Sequence, residues 1–230
     1  MKTGSKRLIV AIDGPAGSGK STVTHLLAKA LNYTHIDTGA LYRAIALRAI
    51  ELGIDLSDGK GVGEIAEGSD LSFQLQQIFI DSRNVSNLIR TPEVSMAASK
   101  ISAHSEVRAA LLGLQRKLGE AGGVVLEGRD IGTVVFPNAD VKFYLTASAD
   151  MRAQRRQVEL EEKGTFLEFE EVKKQVIERD KGDMERKFAP LRKADDAIEI
   201  DTTRMTIEEV VQKLSEIVKN RELKQREPNG

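Results

Sequence analysis

The sequence predicts an α/β fold, a doubly wound, open parallel sheet of five strands in three layers, with an antiparallel insertion. Three observations carry it: short wholly apolar runs, helical periodicities between them, and a glycine-rich turn where the first run meets the first helix. Leu8, Ile9, Val10, Ala11 and Ile12 form the first run, ended by Asp13 and Gly14. A strand apolar at every position is buried on both faces, which is the habit of strands in helix-covered parallel sheets.

The remaining elements follow in chain order. Residues 21–31 place Leu26, Leu27, Ala30 and Leu31 at helical spacing, and a short second strand covers residues 34–36. More than eighty residues then separate it from the apolar run at residues 124–126, too many for one crossover helix, so an insertion interrupts the sheet. Within it Leu71, Phe73 and Leu75 alternate with polar residues, and Ile78 and Ile80 continue the pattern up to a turn at residues 81–84, predicting a small antiparallel sheet. Thr91, Pro92 and Glu93 then read as a helix start: capping hydroxyl, proline at the first position, acid in the first turn. Residues 141–145 and 197–200 supply the last two strands. Residues 152–190, rich in charge and poor in apolar anchors, read as an irregular, mobile arm. In the final helix Ile207, Val210, Val211, Leu214, Ile217 and Val218 share a face, and Thr206 and Glu209 have capping-box spacing; residues 219–230 read as its frayed end.

Composition narrows the function. The 230 residues carry 34 basic and 35 acidic side chains, and only 4% of residues are aromatic, which provides neither the positive field nor the stacking platforms of a nucleic-acid binder. Without cysteine there is no disulfide, thiolate metal site or thiol nucleophile. Lys2, Lys6 and Arg7 precede an apolar run too short for a signal-peptide core or a membrane span, so the expectation is a cytoplasmic protein without membrane partners.

The glycine-rich turn carries the first chemistry. Gly14, Pro15, Ala16, Gly17, Ser18, Gly19, Lys20 and Ser21 satisfy the P-loop pattern, G-x-x-x-x-G-K-[ST], after a buried strand and at the head of a helix. Backbone N–H groups and the helix dipole would receive phosphate oxygens, Lys20 would reach the β and γ phosphates, and the Ser21 hydroxyl would ligate Mg²⁺. The G-x-G-x-x-G spacing of dinucleotide enzymes is absent, as is any Asn-Lys-x-Asp stretch to read guanine. A P-loop alone leaves a switch and a small-molecule kinase both open. A kinase needs a second site. Arg43, after the second strand, and Arg129, after the third, would face one crevice at the carboxyl ends of the strands and hold an acceptor phosphate. Taken singly, Arg43 reads more readily as a solvated helix arginine.

Six segments together resemble the bacterial cytidylate kinases, nearly along the whole chain and in the right order. They are the P-loop, residues 37–43 (DTGALYR), 89–99 (IRTPEVSMAAS), 127–137 (EGRDIGTVVFP), 152–156 (RAQRR) and 179–191 (RDKGDMERKFAPL). The resemblance implies a P-loop core at residues 1–38, 100–151 and 191–230, a monophosphate-binding insertion at 39–99 and a helical lid at 152–190. It implies transfer of the γ-phosphate of ATP, with Mg²⁺, to CMP or dCMP, by a monomer. In the residues it implies, Arg43 and Arg129 hold the CMP phosphate, and Ser99, Arg108 and Asp130 read cytosine, with Thr38 and Tyr42 beside them. Arg179 and Asp183 contact the sugar or phosphate edge, and Arg186 helps from the lid. Thr22, Arg152, Arg155 and Arg156 join the P-loop on ATP, while Lys20, Arg129, Arg179 and Arg186 act on the transferring group. Two positions depart from the familiar pattern: Gly182 stands where an arginine is common, and Glu127 where aspartate is.

Overall fold

The computed structural model describes residues 7–74, 76–162 and 164–226, so Lys2, Lys6, Leu75 and the last four residues of the tail lie outside the described residues. The chain forms two compact units, one of Met1–His35, Ala121–Glu185 and Ala189–Gly230, the other of Ile36–Glu120 with Arg186–Phe188.

The first unit is built on the parallel sheet. Its strands are β1 (Ile9–Asp13), β2 (Thr34–Asp37, which runs on into the second unit), β6 (Val124–Gly128), β7 (Val141–Thr146) and β8 (Ile198–Asp201), in the spatial order β2-β6-β1-β7-β8. The apolar run of β1 therefore lies at the centre, paired in parallel with β6 (Ile9 opposite Val124) and with β7 (Val10 opposite Val141). Helix α1 (Lys20–Leu31) and helix α8 (Ile207–Arg226) pack on this sheet, Val23, Leu27, Val210, Leu214 and Val218 meeting Val10, Ile12, Phe143 and Leu145 in one buried apolar cluster. The capping box of α8 forms as its sequence predicts: Thr206 N–H donates to Glu209 Oε2 (2.8 Å) and Glu209 N–H to Thr206 Oγ1 (3.2 Å).

Helices α6 (Ala149–Glu162) and α7 (Phe169–Glu185) correct the reading of residues 152–190 as irregular. Ala153, Leu160 and Val172 are buried together with Leu167 and Phe169 against them, a cluster small enough that the surrounding charge masked its periodicity in the sequence. Gly182 lies inside α7 and breaks nothing.

The second unit is mostly helical. Helices α2 (Thr38–Glu51), α3 (Gly59–Gly68), α4 (Pro92–Ile101) and α5 (Ser105–Gly119) enclose a core that includes Leu41, Ile45, Val62, Ile101 and Leu111. The predicted antiparallel sheet is present as β3 (Leu71–Gln74), β4 (Gln77–Ile80) and β5 (Arg83–Asn84). What read as one continuous alternation is a hairpin with Leu71 opposite Ile80, and Gln76 sits at φ +66° in its turn. Helix α4 starts where its cap residues say: Thr91 Oγ1 accepts from Val94 N–H at 3.2 Å with Pro92 in the first turn. Helix α3 went unread because glycine occupies four of its ten positions; Asp58 caps it by accepting from Gly61 N–H at 3.0 Å.

Candidate functional site

In the first unit the site starts where β1 ends. A Cβ on Gly14 would stand 2.0 Å from the carbonyl oxygen of Leu145, so only glycine lets the chain turn past β7 there. Gly17, at φ +73°, is equally constrained, since its Cβ would fall 2.8 Å from the carbonyl oxygen of Arg152. Past these turns Lys20 opens α1 and is buried; its Nζ donates to the carbonyl oxygen of Pro15 (2.6 Å) and to Ser18 Oγ (3.3 Å). Burial, then the nearby Arg129, holds this ammonium well below the usual lysine range, with Arg179 adding to the effect and Glu127 and Asp13 opposing it. Three cations thus converge on one loop.

Carboxylates organise the surroundings. Ser21 Oγ donates to Glu127 Oε2 at 2.7 Å, and the other oxygen of Glu127 meets His35 Nε2 at 2.9 Å. Asp13, buried at the end of β1, accepts from the N–H groups of Ile131 (2.8 Å) and Gly132 (2.7 Å). This grip holds residues Ile131–Val135 in a single π-helical turn directly after Arg129 and Asp130, and such turns are frequent at functional sites. Burial pushes the Asp13 carboxyl up from 3.8 to about 6, against the two N–H bonds that favour its charge. Arg129 Nε donates to Asp183 Oδ2 at 2.8 Å; burial works against this guanidinium's charge, but Asp183 more than offsets it and holds the group above the usual arginine value.

The arginines of α6 divide by direction. Arg152 is buried; its Nε donates to the carbonyl oxygen of Ala147 (3.0 Å), its Nη1 to that of Ala16 (3.1 Å), and it is ion-paired with Asp180. Arg155 donates to Thr202 Oγ1 (2.9 Å) and to its carbonyl oxygen (2.8 Å), and Thr202 Oγ1 in turn donates to the carbonyl oxygen of Ser18 (3.3 Å). Arg156 pairs along its own helix with Glu159 at 2.7 Å. Two of the three therefore brace the glycine-rich loop from behind. Thr22 is exposed one residue after Ser21.

In the second unit Asp37 caps α2 by accepting from Ala40 N–H (3.1 Å) and also takes Arg43 Nη2 at 2.5 Å, while Thr38 is buried at the helix start. Tyr42, one turn on, lies under the Arg108 guanidinium at 5.6 Å, and its hydroxyl accepts from Gln115 Nε2 at 3.4 Å. Arg108 Nη1 donates to the carbonyl oxygen of Ser102 (3.3 Å), and the Ser102 hydroxyl donates to the backbone carbonyl oxygen of Ser99 (2.8 Å). Tyr42, Arg108 and the end of α4 that carries Ser99 are thus brought together. Arg186 follows α7, half-buried, and groups with this unit.

Four residues of the first-unit site were not singled out in the sequence as functional: Asp13, Asp180, Thr202 and, except as a variation, Glu127. Asp13 offered a signal, an acid closing an otherwise apolar central strand. Asp180 offered none, being one acid among many in a charged helix. Among the described residues no three His, Cys, Asp or Glu side chains gather as a metal cluster, and no helix is long and apolar enough to cross a membrane.

Comparison with known proteins gives one consistent result. The family model described as cytidylate kinase matches residues 10–220. A cytidylate kinase of Geobacter sp. (strain M21) is 50% identical over 218 residues, covering 93% of this chain and 94% of its own length. That of Carboxydothermus hydrogenoformans is 51% identical over 213 residues, covering 91% and 96%. Among solved structures, an uncharacterized protein from Eubacterium ventriosum ATCC 27560 shares the fold with a TM-score of 0.52 at 12% identity, over 93% of this chain and 99% of its own.

Proposed function

The chain belongs to the cytidylate kinase family, and we propose from this that it transfers the γ-phosphate of ATP to CMP or dCMP, releasing ADP with CDP or dCDP. The single observation that carries the reading in the geometry is the glycine-rich turn itself, which only glycine allows at positions 14 and 17 and which leads into α1 at the buried Lys20, an ammonium that Arg129 and Arg179 also act upon. Phosphoryl transfer asks for such an arrangement, because the charge of the transferring group is spread over its oxygens and the protein's task is to position and stabilise it. An oxygen of the acceptor phosphate, already ionised, bonds to the γ phosphorus as the bond to the β–γ bridging oxygen breaks, and ADP leaves with that oxygen. No side-chain nucleophile is required.

The residue roles follow the same reading. Backbone N–H groups of residues 17–21 and Thr22 take the ATP phosphates, with Arg156 from α6. Arg43 and Arg129 hold the acceptor phosphate, and Ser99, Arg108 and Asp130 read the base, supported by the stack of Arg108 on Tyr42 and by the grip of Asp13 on the turn after Asp130. Arg179 and Asp183 serve the sugar or phosphate edge, and Arg186 completes the charge from the end of the α6–α7 lid. Ser21 Oγ and Glu127 Oε2, 2.7 Å apart, form the kind of sparse oxygen set that Mg²⁺ shares with nucleotide phosphates. Bound there, Mg²⁺ would neutralise charge on the β and γ oxygens.

The test is ADP release with ATP and Mg²⁺ against CMP, dCMP, UMP, AMP and no acceptor. Fast release with the two cytidine nucleotides is expected. Preference for UMP would move the acceptor, and release indifferent to acceptor would make the protein a nucleotide-dependent switch.

A further inference from the structure

We propose that Arg152 and Asp180 are positioning residues for ATP, setting the shape of the glycine-rich loop through the backbone of Ala16. The inference rests on the reading of that loop as the ATP site, and it assigns Arg152 a task other than touching the nucleotide.

The two side chains, from the first turn of α6 and the last half of α7, are buried and paired with each other. Both also reach the loop. Asp180 Oδ1 accepts from Ala16 N–H at 3.2 Å, and Arg152 Nη1 donates to the Ala16 carbonyl oxygen at 3.1 Å. These atoms belong to the two peptide groups on either side of the Ala16 Cα, so holding both fixes that residue's φ and ψ. Ala16 stands immediately before Gly17, which is at φ +73° and in contact with the Arg152 backbone, so the clasp determines the direction of the N–H groups that follow.

Stability does not account for the pair. A buried ion pair sacrifices the hydration of both charges, and well-packed apolar residues in its place are often neutral or stabilising. A pair that shapes the loop has a different signature: with it gone, only a fraction of molecules presents the phosphate-binding conformation, and apparent affinity falls by that fraction. The cost falls first on ATP binding, while CMP loses only the field that Asp180 exerts on Arg129.

The discriminating variant is the apolar pair Arg152→Met/Asp180→Leu in the full chain, with ATP binding measured by titration calorimetry, KM for CMP by the coupled assay, and thermal melting. Expected is a chain that still melts cooperatively, with ATP affinity lower by about tenfold or more and a KM for CMP changed by no more than roughly threefold. Unchanged ATP affinity overturns the proposal, as does a loss shared equally by ATP and CMP. Should the double variant fail to fold, Arg152→Lys decides, because it keeps the charge but cannot serve Asp180, Ala16 and Ala147 at once; ATP affinity equal to the original then overturns the proposal. An original chain that binds no ATP overturns the reading of the loop itself.

Discussion

Buried charge distinguishes the two units. The first buries Asp13, Lys20, Glu127, Asp130, Lys142, Arg152, Asp180 and Asp183, whereas among the described residues of the second the buried polar side chains are Thr38 and Gln115, with aliphatic residues filling the rest of its core. Desolvating a charge is costly unless partners compensate, and in the first unit they do so pairwise: Lys20 with Pro15 and Ser18, Arg129 with Asp183, Arg152 with Asp180. A region that accepts that cost is organised for electrostatic work; a region that avoids it is organised for packing. Substitutions of buried side chains in the first should therefore act on turnover and pH response, and those of buried side chains in the second on stability.

The largest expected effect is at Arg129. Arg129→Ala should lower turnover with CMP by about 10² to 10³, and it also leaves the Asp183 carboxylate buried without its guanidinium, so the melting temperature falls too. Adding Asp183→Asn should restore melting but not turnover. Turnover returning with stability would break the distinction.

In the second unit, Ile45→Ala removes a fully buried side chain from α2 and should cost about 2–5 kcal/mol in urea unfolding. The KM for ATP of the surviving folded protein should be unchanged; a shift there would mean that packing and phosphate binding are less separate than they look.

Asp13 sharpens the pH side. Its carboxyl is raised from 3.8 to about 6, so between those values the folded chain holds a proton that the unfolded chain has released. Its contribution therefore disfavours the fold increasingly as pH rises from about 4 to about 6, by roughly 3 kcal/mol in all, and is constant above that. Asp13→Asn should flatten this part of the pH–stability curve, read by chemical denaturation at several pH values. An unaltered slope would assign the titration to another group.

The smallest effect belongs to a helix cap. Thr91→Ala frees the Val94 N–H at the head of α4 and should cost about 1 kcal/mol, without altering turnover at saturating substrates.

How much of this was legible in the sequence depends on the range over which each feature is encoded. Strand β1, the P-loop, the caps at Thr91 and Thr206 and the face of α8 are local patterns of a few residues, and each was readable. The hairpin was seen as a sheet but not as a hairpin, because its turn, with Gln76 at positive φ, lacks the glycine or asparagine that usually marks one. Helices α6 and α7 were missed as regular structure because their apolar cluster is small against their charge. Among site residues, Lys20 and Arg129 could be named from motifs, and their convergence with Arg179 is a product of the fold. The contacts of Asp13 with Ile131, of Asp180 with Ala16 and of Thr202 with Ser18 each span more than a hundred residues of chain, where no local pattern points to them.

The central place of β1 has a consequence for how the protein comes into being. The strand leaves the ribosome ahead of the rest of its sheet, and both its neighbours are synthesised over a hundred residues later, beginning at Val124 and Val141. Contacts so distant in sequence are slow to form, since the closure of the intervening loop is unfavourable before it is rewarded. The second unit, whose helices and hairpin are drawn almost wholly from residues 36–120, meets no such delay. During synthesis it can condense while the nucleotide loop is still an unpaired thread, so the growing chain would acquire a packed core well before any capacity to hold ATP.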